Sequence, residues 1–127
     1  MSRNVIKILD KNFSDLKAGQ KMLISSPEKI ANYINNIPKG RSRTPKEMRI
    51  DLAVEEGADN TCPVTTGIFL RQAIEEHGNQ LPYWRLIDDR HPVIKKLQLN
   101  AEEIKKLRFL EGLDLGSQIH KEIPLGN

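Results

Sequence analysis

Apolar residues recur three and four positions apart at Ile6, Leu9, Phe13 and Leu16. This spacing predicts a short amphipathic helix over 5–16. A polar turn over 17–21 follows, and Met22-Leu23-Ile24 then reads as a short strand or an extended lead-in. Ile30, Tyr33, Ile34 and Ile37 fall on one helical face behind Ser26-Pro27-Glu28, a capping hydroxyl, a proline suited to the first turn and an early acid. A helix over 27–36 is predicted, stopped by Ile37-Pro38-Lys39-Gly40 because proline disfavours helical geometry in the residue before it. Thr44-Pro45-Lys46-Glu47 repeats the signature as a capping box and starts a helix that turns Met48, Leu52 and Ala53 inward and ends near Gly57. After the polar stretch 58–61, Pro63 opens a further helix, with Val64, Ile68, Ala73 and Ile74 for the core and Gly78 at its end. Two helices joined by a tight polar turn predict a helix-turn-helix.

Beyond Leu81 the pattern changes. Tyr83-Trp84-Arg85-Leu86-Ile87 and Val93-Ile94 flank the polar Asp88-Asp89-Arg90-His91-Pro92, the sequence form of a β-wing over 81–97. Asn100-Ala101-Glu102-Glu103 caps a last helix carrying Ile104, Leu107 and Leu110 and closed by Gly112. The expected fold class is mainly α with a small β-wing. Its parts are an N-terminal extension over 1–21, a winged-helix domain over 22–113 and a C-terminal tail over 114–127 expected to fray.

The 127 residues suit one domain, and 38% hydrophobic with 29% charged residues is an ordinary globular balance. No apolar run is long enough to span a bilayer, and the N-terminus lacks a signal peptide's apolar stretch, so a cytoplasmic protein is expected. The lone Cys62 cannot form an internal disulfide or, by itself, a thiolate metal site, and no cofactor or metal is implied. A net charge of +3 leans toward an anionic partner without specifying one.

The position of the charges is more informative. Lys39, Arg41, Arg43, Lys46 and Arg49 crowd the entry to the helix-turn-helix, where they either neutralise phosphates or form a solvated basic face. The following helix carries Arg71 but also Glu75 and Glu76, poor electrostatics for reading a groove unless the acids face away. Cys62 sits at a helix start, which lowers a thiol's pKa, but free cysteines are more often buried hydrophobes. His77 and His91 read as surface residues.

The order of these elements, with Ile37-Pro38-Lys39-Gly40, Leu81-Pro82-Tyr83-Trp84-Arg85-Leu86-Ile87 and Leu110-Glu111-Gly112, resembles the C-terminal domain of the O6-alkylguanine-DNA alkyltransferases and their alkyltransferase-like relatives over roughly 22–113. The resemblance implies a winged helix-turn-helix that binds duplex DNA. In the alkyltransferases a Pro-Cys-His-Arg motif accepts the alkyl group of a damaged guanine, through a cysteine activated by a histidine and a glutamate. Tyr83 and Trp84 stand where that cysteine and histidine would be, and Glu111 matches the glutamate. A phenol and an indole cannot replace the pair, so no enzyme activity is expected. The alkyltransferase-like proteins also lack the cysteine and bind lesions without repairing them.

The resemblance departs at Pro45, where the family places a tyrosine that helps rotate a phosphate, and at Thr66, where it inserts an arginine into the base stack. The expected function is non-catalytic recognition of double-stranded DNA, with alkylated or otherwise modified bases within its scope. The candidate contacts are Arg41, Arg43, Thr44, Lys46, Thr66, Arg71 and Arg85, and the candidate pocket residues are Tyr83, Trp84 and Glu111. Trp84 is favoured as core and Tyr83 is left between pocket and core. Arg85 either meets phosphate or, the preferred reading, ties the wing to the helix-turn-helix turn. The competing readings are a protein-interaction module that keeps the fold without DNA, and an enzyme using Cys62. A monomer with no membrane contact is expected.

Overall fold

A computed structural model describes residues 5–114 of the chain. They form a mainly helical body with one small sheet: β1 Val5–Ile8, β2 Lys21–Ile24, α1 Pro27–Asn35, α2 Pro45–Glu55, β3 Asn60–Thr61, α3 Pro63–His77, α4 Pro92–Lys96 and α5 Ala101–Leu110. Single 3-10 turns occupy Gly78–Gln80 and Tyr83–Arg85.

Local chemistry places the helix starts where the sequence predicts them. The Ser26 hydroxyl accepts from the Lys29 amide at 3.2 Å ahead of α1, and Thr44 and Glu47 exchange both bonds of a capping box at 3.0 and 2.9 Å ahead of α2. Asn100 Oδ1 accepts from the amides of Glu102 and Glu103 at α5. Cys62 caps α3, its sulfur accepting from the Thr65 amide at 3.5 Å.

Two expectations are overturned. Residues 5–16 are not a helix: β1 runs antiparallel to β2, with Val5 opposite Ile24 and Ile8 opposite Lys21. The β-branched Val5, Ile6 and Ile8 suit a strand, and β2 offers their backbone a partner that a helix of marginal length lacks. Residues 9–20 return as a tight arm in which Leu9 and Gln20 stay paired, Phe13 and Leu16 bridge, and Asn12 Oδ1 accepts from the Ala18 amide at 2.9 Å. Leu16 thereby packs with Met22 and Cys62 in a small cluster of its own. Val5–Ile8 and Lys21 of the expected N-terminal extension thus belong to the sheet, and 9–20 form the arm that joins them. β2 also pairs in parallel with β3, Leu23 facing Thr61, so the polar turn between α2 and α3 is itself tied into the sheet.

The second correction concerns the expected β-wing over 81–97. The amides of Arg85, Leu86 and Ile87 fold back onto the carbonyls of Pro82 and Tyr83, leaving none of them to pair with a second strand. Pro92 then starts the short α4, capped by His91 Nδ1, which accepts from the Val93 amide at 3.1 Å. Both prolines sit where helical turns begin.

The main core lies between α1 and α3 and continues under α4 and α5 through Ile30, Ile34, Leu70, Ala73, Leu81, Ile87 and Ile104. The expected tail over 114–127 falls, apart from Asp114, outside the described residues.

Candidate nucleic-acid interface

The loop between α1 and α2 is where the exposed positive charge collects. Pro38 ends α1's continuation and Gly40, at φ +84°, turns the chain through a conformation that L side chains rarely adopt. Lys39, Arg41, Arg43, Thr44 and Lys46 are all exposed. None of these four cations has an ion-pairing carboxylate among the described residues.

The Pro82–Arg85 segment braces this loop from beneath. Arg85 Nη1 donates to the Ile37 carbonyl at 3.0 Å, and the Arg43 amide donates to the Arg85 carbonyl at 2.9 Å. Arg85 also grips both oxygens of Glu111, Nε to Oε1 at 2.9 Å and Nη2 to Oε2 at 3.0 Å, with Trp84 Nε1 donating to Oε2 at 3.0 Å and the Gly40 amide reaching Oε1 at 3.4 Å. The Arg85 guanidinium lies 5.9 Å from the Trp84 ring centre, within cation–π range. The bidentate bond from Arg85 holds the Glu111 carboxyl down at about 2, aided by Trp84, Gly40 and the Arg85 charge and opposed by burial. Arg108 completes the bracket by donating to the Trp84 carbonyl at 2.7 Å and pairing with Asp114 at 2.9 Å.

Several candidates are therefore engaged elsewhere. Arg85 takes the tying role and is not free for phosphate, although what it ties is a turn and not a wing. Tyr83 is core: only 5% exposed, its phenol donating to Asn79 Oδ1 at 3.2 Å, with burial first and the Glu103 charge second raising its pKa. Trp84 is half-buried against it, ring centres 5.7 Å apart and edge-on. Tyr83, Trp84 and Glu111 thus form a packed bracket and not an open pocket. Thr66 is 4% exposed and its hydroxyl donates to the Cys62 carbonyl at 2.6 Å, so it faces inward and cannot contact DNA. Arg49 also leaves the basic group: it is buried, donating to both oxygens of Asp15 at 2.7 and 2.9 Å and to the Thr61 carbonyl at 2.8 Å. Arg71 lies half-buried on α3. Cys62 is buried beside Leu16 and Met22.

An open recess instead adjoins the basic loop at Arg41 and Arg43. It has a volume of about 680 Å³ and is lined by Lys29, Asn32 and Tyr33 of α1, by its cap Asn36, by Ile37, Pro38, Arg41, Ser42 and Arg43 of the loop, and by Asp51, Leu52 and Glu55 of α2. The Tyr33 phenol donates to Asp51 Oδ2. Burial, then that bond and the Asp51 charge, raise the Tyr33 pKa, and the nearby Arg43 works against them. Of the residues lining the recess, Arg41 and Arg43 are candidates from the sequence and the others are not. The only signal of those others was a polar stripe at helical spacing on α1 and the pair Asp51 and Glu55 on α2, which look like ordinary solvent-facing positions.

Ile50 and Val54 of α2 and Val64 and Ile68 of α3 are exposed apolar residues, and Glu75 and Glu76 are exposed near the end of α3. Among the described residues no helix is long and apolar enough to cross a membrane, and no cluster of His, Cys, Asp and Glu has the makings of a metal site. No known protein family matches the chain, and neither a curated protein nor a solved structure does.

Proposed function

We infer that this chain is a non-catalytic DNA-binding protein of the alkyltransferase-like type, contacting duplex phosphates through the loop between α1 and α2. The observation that carries this reading is the group Lys39, Arg41, Arg43 and Lys46, four exposed cations with no ion-pairing carboxylate among the described residues, the first three on a loop whose backbone is held by Arg85 and Glu111 and the last in the first turn of α2. Clustered cations displace counterions from DNA, and a braced loop loses little conformational freedom on binding. In this reading α2 and α3 are the helix pair of the winged-helix fold, and the β1–β2 hairpin supplies the strands that residues 81–97 do not. Tyr83 and Trp84 stand at the acceptor position and offer no thiolate, so no alkyl transfer is expected.

Recognition of an alkylated base does not extend naturally to this site, because the aromatic group that would line its pocket lies in the core. Equal affinity for plain and O6-methylguanine duplexes is therefore expected in fluorescence anisotropy at low salt. Absence of duplex binding at low salt would refute the proposal.

A protein-interaction module is the second reading, favoured by the exposed Ile50, Val54, Val64 and Ile68. Tight binding to a protein with little salt dependence, and none to DNA, would select it.

A further inference from the structure

The recess beside the basic loop has two chemically distinct walls. One carries Arg41 and Arg43, which make no side-chain hydrogen bond or ion pair among the described residues. The other carries Asp51 and Glu55, spaced one helical turn apart on α2. Asp51 spends one oxygen on the Tyr33 phenol and keeps the other, and Glu55 makes no side-chain bond among the described residues. Asn36 also lines the recess.

These walls ask for opposite things of a ligand. Guanidiniums recognise a phosphate by paired charge-assisted bonds, whereas carboxylates recognise N–H donors. A fully anionic ligand would meet repulsion at Asp51 and Glu55, and a cation would meet it at Arg41 and Arg43. A nucleotide whose base carries an exocyclic amino group satisfies both, with its phosphate at the arginines and its donor edge at the carboxylates. At about 680 Å³ the recess falls within the roughly 300–1,000 Å³ usual for small-molecule sites.

We propose that the recess between α1, the 37–43 loop and α2 binds a single nucleotide unit with an amino-bearing base, phosphate on Arg41 and Arg43 and base edge on Asp51 and Glu55. The site is separate from the Tyr83 position that the family resemblance points to. The proposal deepens the DNA-binding reading and rests on it for its biological ligand, an unpaired nucleotide of a strand, but the recess is testable with free nucleotides alone.

The test is an NMR titration of the isotope-labelled 127-residue chain with dGMP, dCMP, dTMP and inorganic phosphate in turn. Saturating shifts at 36–43 and 51–55 are expected with dGMP and dCMP. Phosphate and dTMP, which has no amino group, should bind about tenfold more weakly, the loss of one good charge-assisted pairing. Arg41→Ala should weaken all four by about tenfold, whereas Glu55→Gln should weaken dGMP and dCMP and spare phosphate. Both side chains are on the surface, and the amide spectrum itself reports whether the fold is kept.

No saturating shift at the recess overturns the proposal. Equal affinity for phosphate and dGMP reduces the site to anion attraction and also overturns it, as does equal affinity for dTMP. Nucleotide binding without duplex binding keeps the recess and removes the DNA reading; duplex binding with a silent recess does the reverse.

Discussion

Glu111 accepts four hydrogen bonds, from Gly40, Trp84 and twice from Arg85, so it ties the end of α5 to both the Pro82–Arg85 turn and the basic loop. Its side chain is only 9% exposed, and Glu111→Gln leaves the Arg85 guanidinium short of its counter-charge in a largely buried place. Urea unfolding should show a loss of about 3 kcal/mol. The acid dependence follows from its depressed pKa. The unfolded chain takes up this proton near 4.5 and the folded protein only near 2, so the bridge stabilises fully above about pH 4.5 and its contribution drains away as pH falls toward 2. The bond from Arg49 depresses Asp15 in the same direction. The slope of stability against pH over this window should flatten in Glu111→Gln; an unchanged slope would remove Glu111 as its source.

Arg49 acts over a similar range, holding the arm at Asp15 and the β3 carbonyl of Thr61 at once. Arg49→Met should cost about 2 kcal/mol, by leaving the buried carbonyl without its donor. Hydrogen exchange should speed up first at the paired amides of Phe13 and Leu16.

At the scale of elements, the Thr44–Glu47 capping box fixes where the basic loop ends and α2 begins. Thr44→Ala should lower stability by about 1 kcal/mol, read as a lower Tm, without altering the other helices. Helices with caps and periodic faces were the legible part of this sequence: α1, α2, α3 and α5 start and stop close to where Ser26, Thr44, Pro63, Asn100 and the glycines indicate. The misread segments are those whose structure depends on a distant partner. Ile6, Leu9, Phe13 and Leu16 have helical spacing, yet β2 and Arg49 hold them as a strand and an arm. The run at 83–87 has strand composition, yet Pro82 and the carbonyls behind it curl it into a turn.

The site divides along the same line. Arg41, Arg43, Thr44 and Lys46 were legible because a cluster of charges is local in sequence. Arg85 and Arg49 look equally available in the sequence but find partners 26 and 34 residues away, the largely buried carboxylate of Glu111 and the exposed one of Asp15, with Arg49 also bonded to the buried Thr61 carbonyl. Thr66 and Tyr83 turned inward for want of any local sign of their facing. The recess was invisible for the complementary reason: it exists only where two helix faces and a loop meet.

For the molecule as a whole, a positive loop sits on a hydrogen-bonded bracket, Ile50, Val54, Val64 and Ile68 are exposed on α2 and α3, and Glu75 and Glu76 lie near the end of α3. Such an arrangement predicts binding dominated by phosphates, weakly sensitive to sequence and strongly sensitive to salt. The most direct measurement is the affinity of the chain for a short duplex across a series of salt concentrations. Three or four phosphate contacts predict a slope of about −3 in log K against log salt, and Lys46→Ala should make it shallower by about 1. A slope near zero, or no change on replacing Lys39, Arg41, Arg43 and Lys46 together with alanine, would contradict the assignment of this loop to DNA.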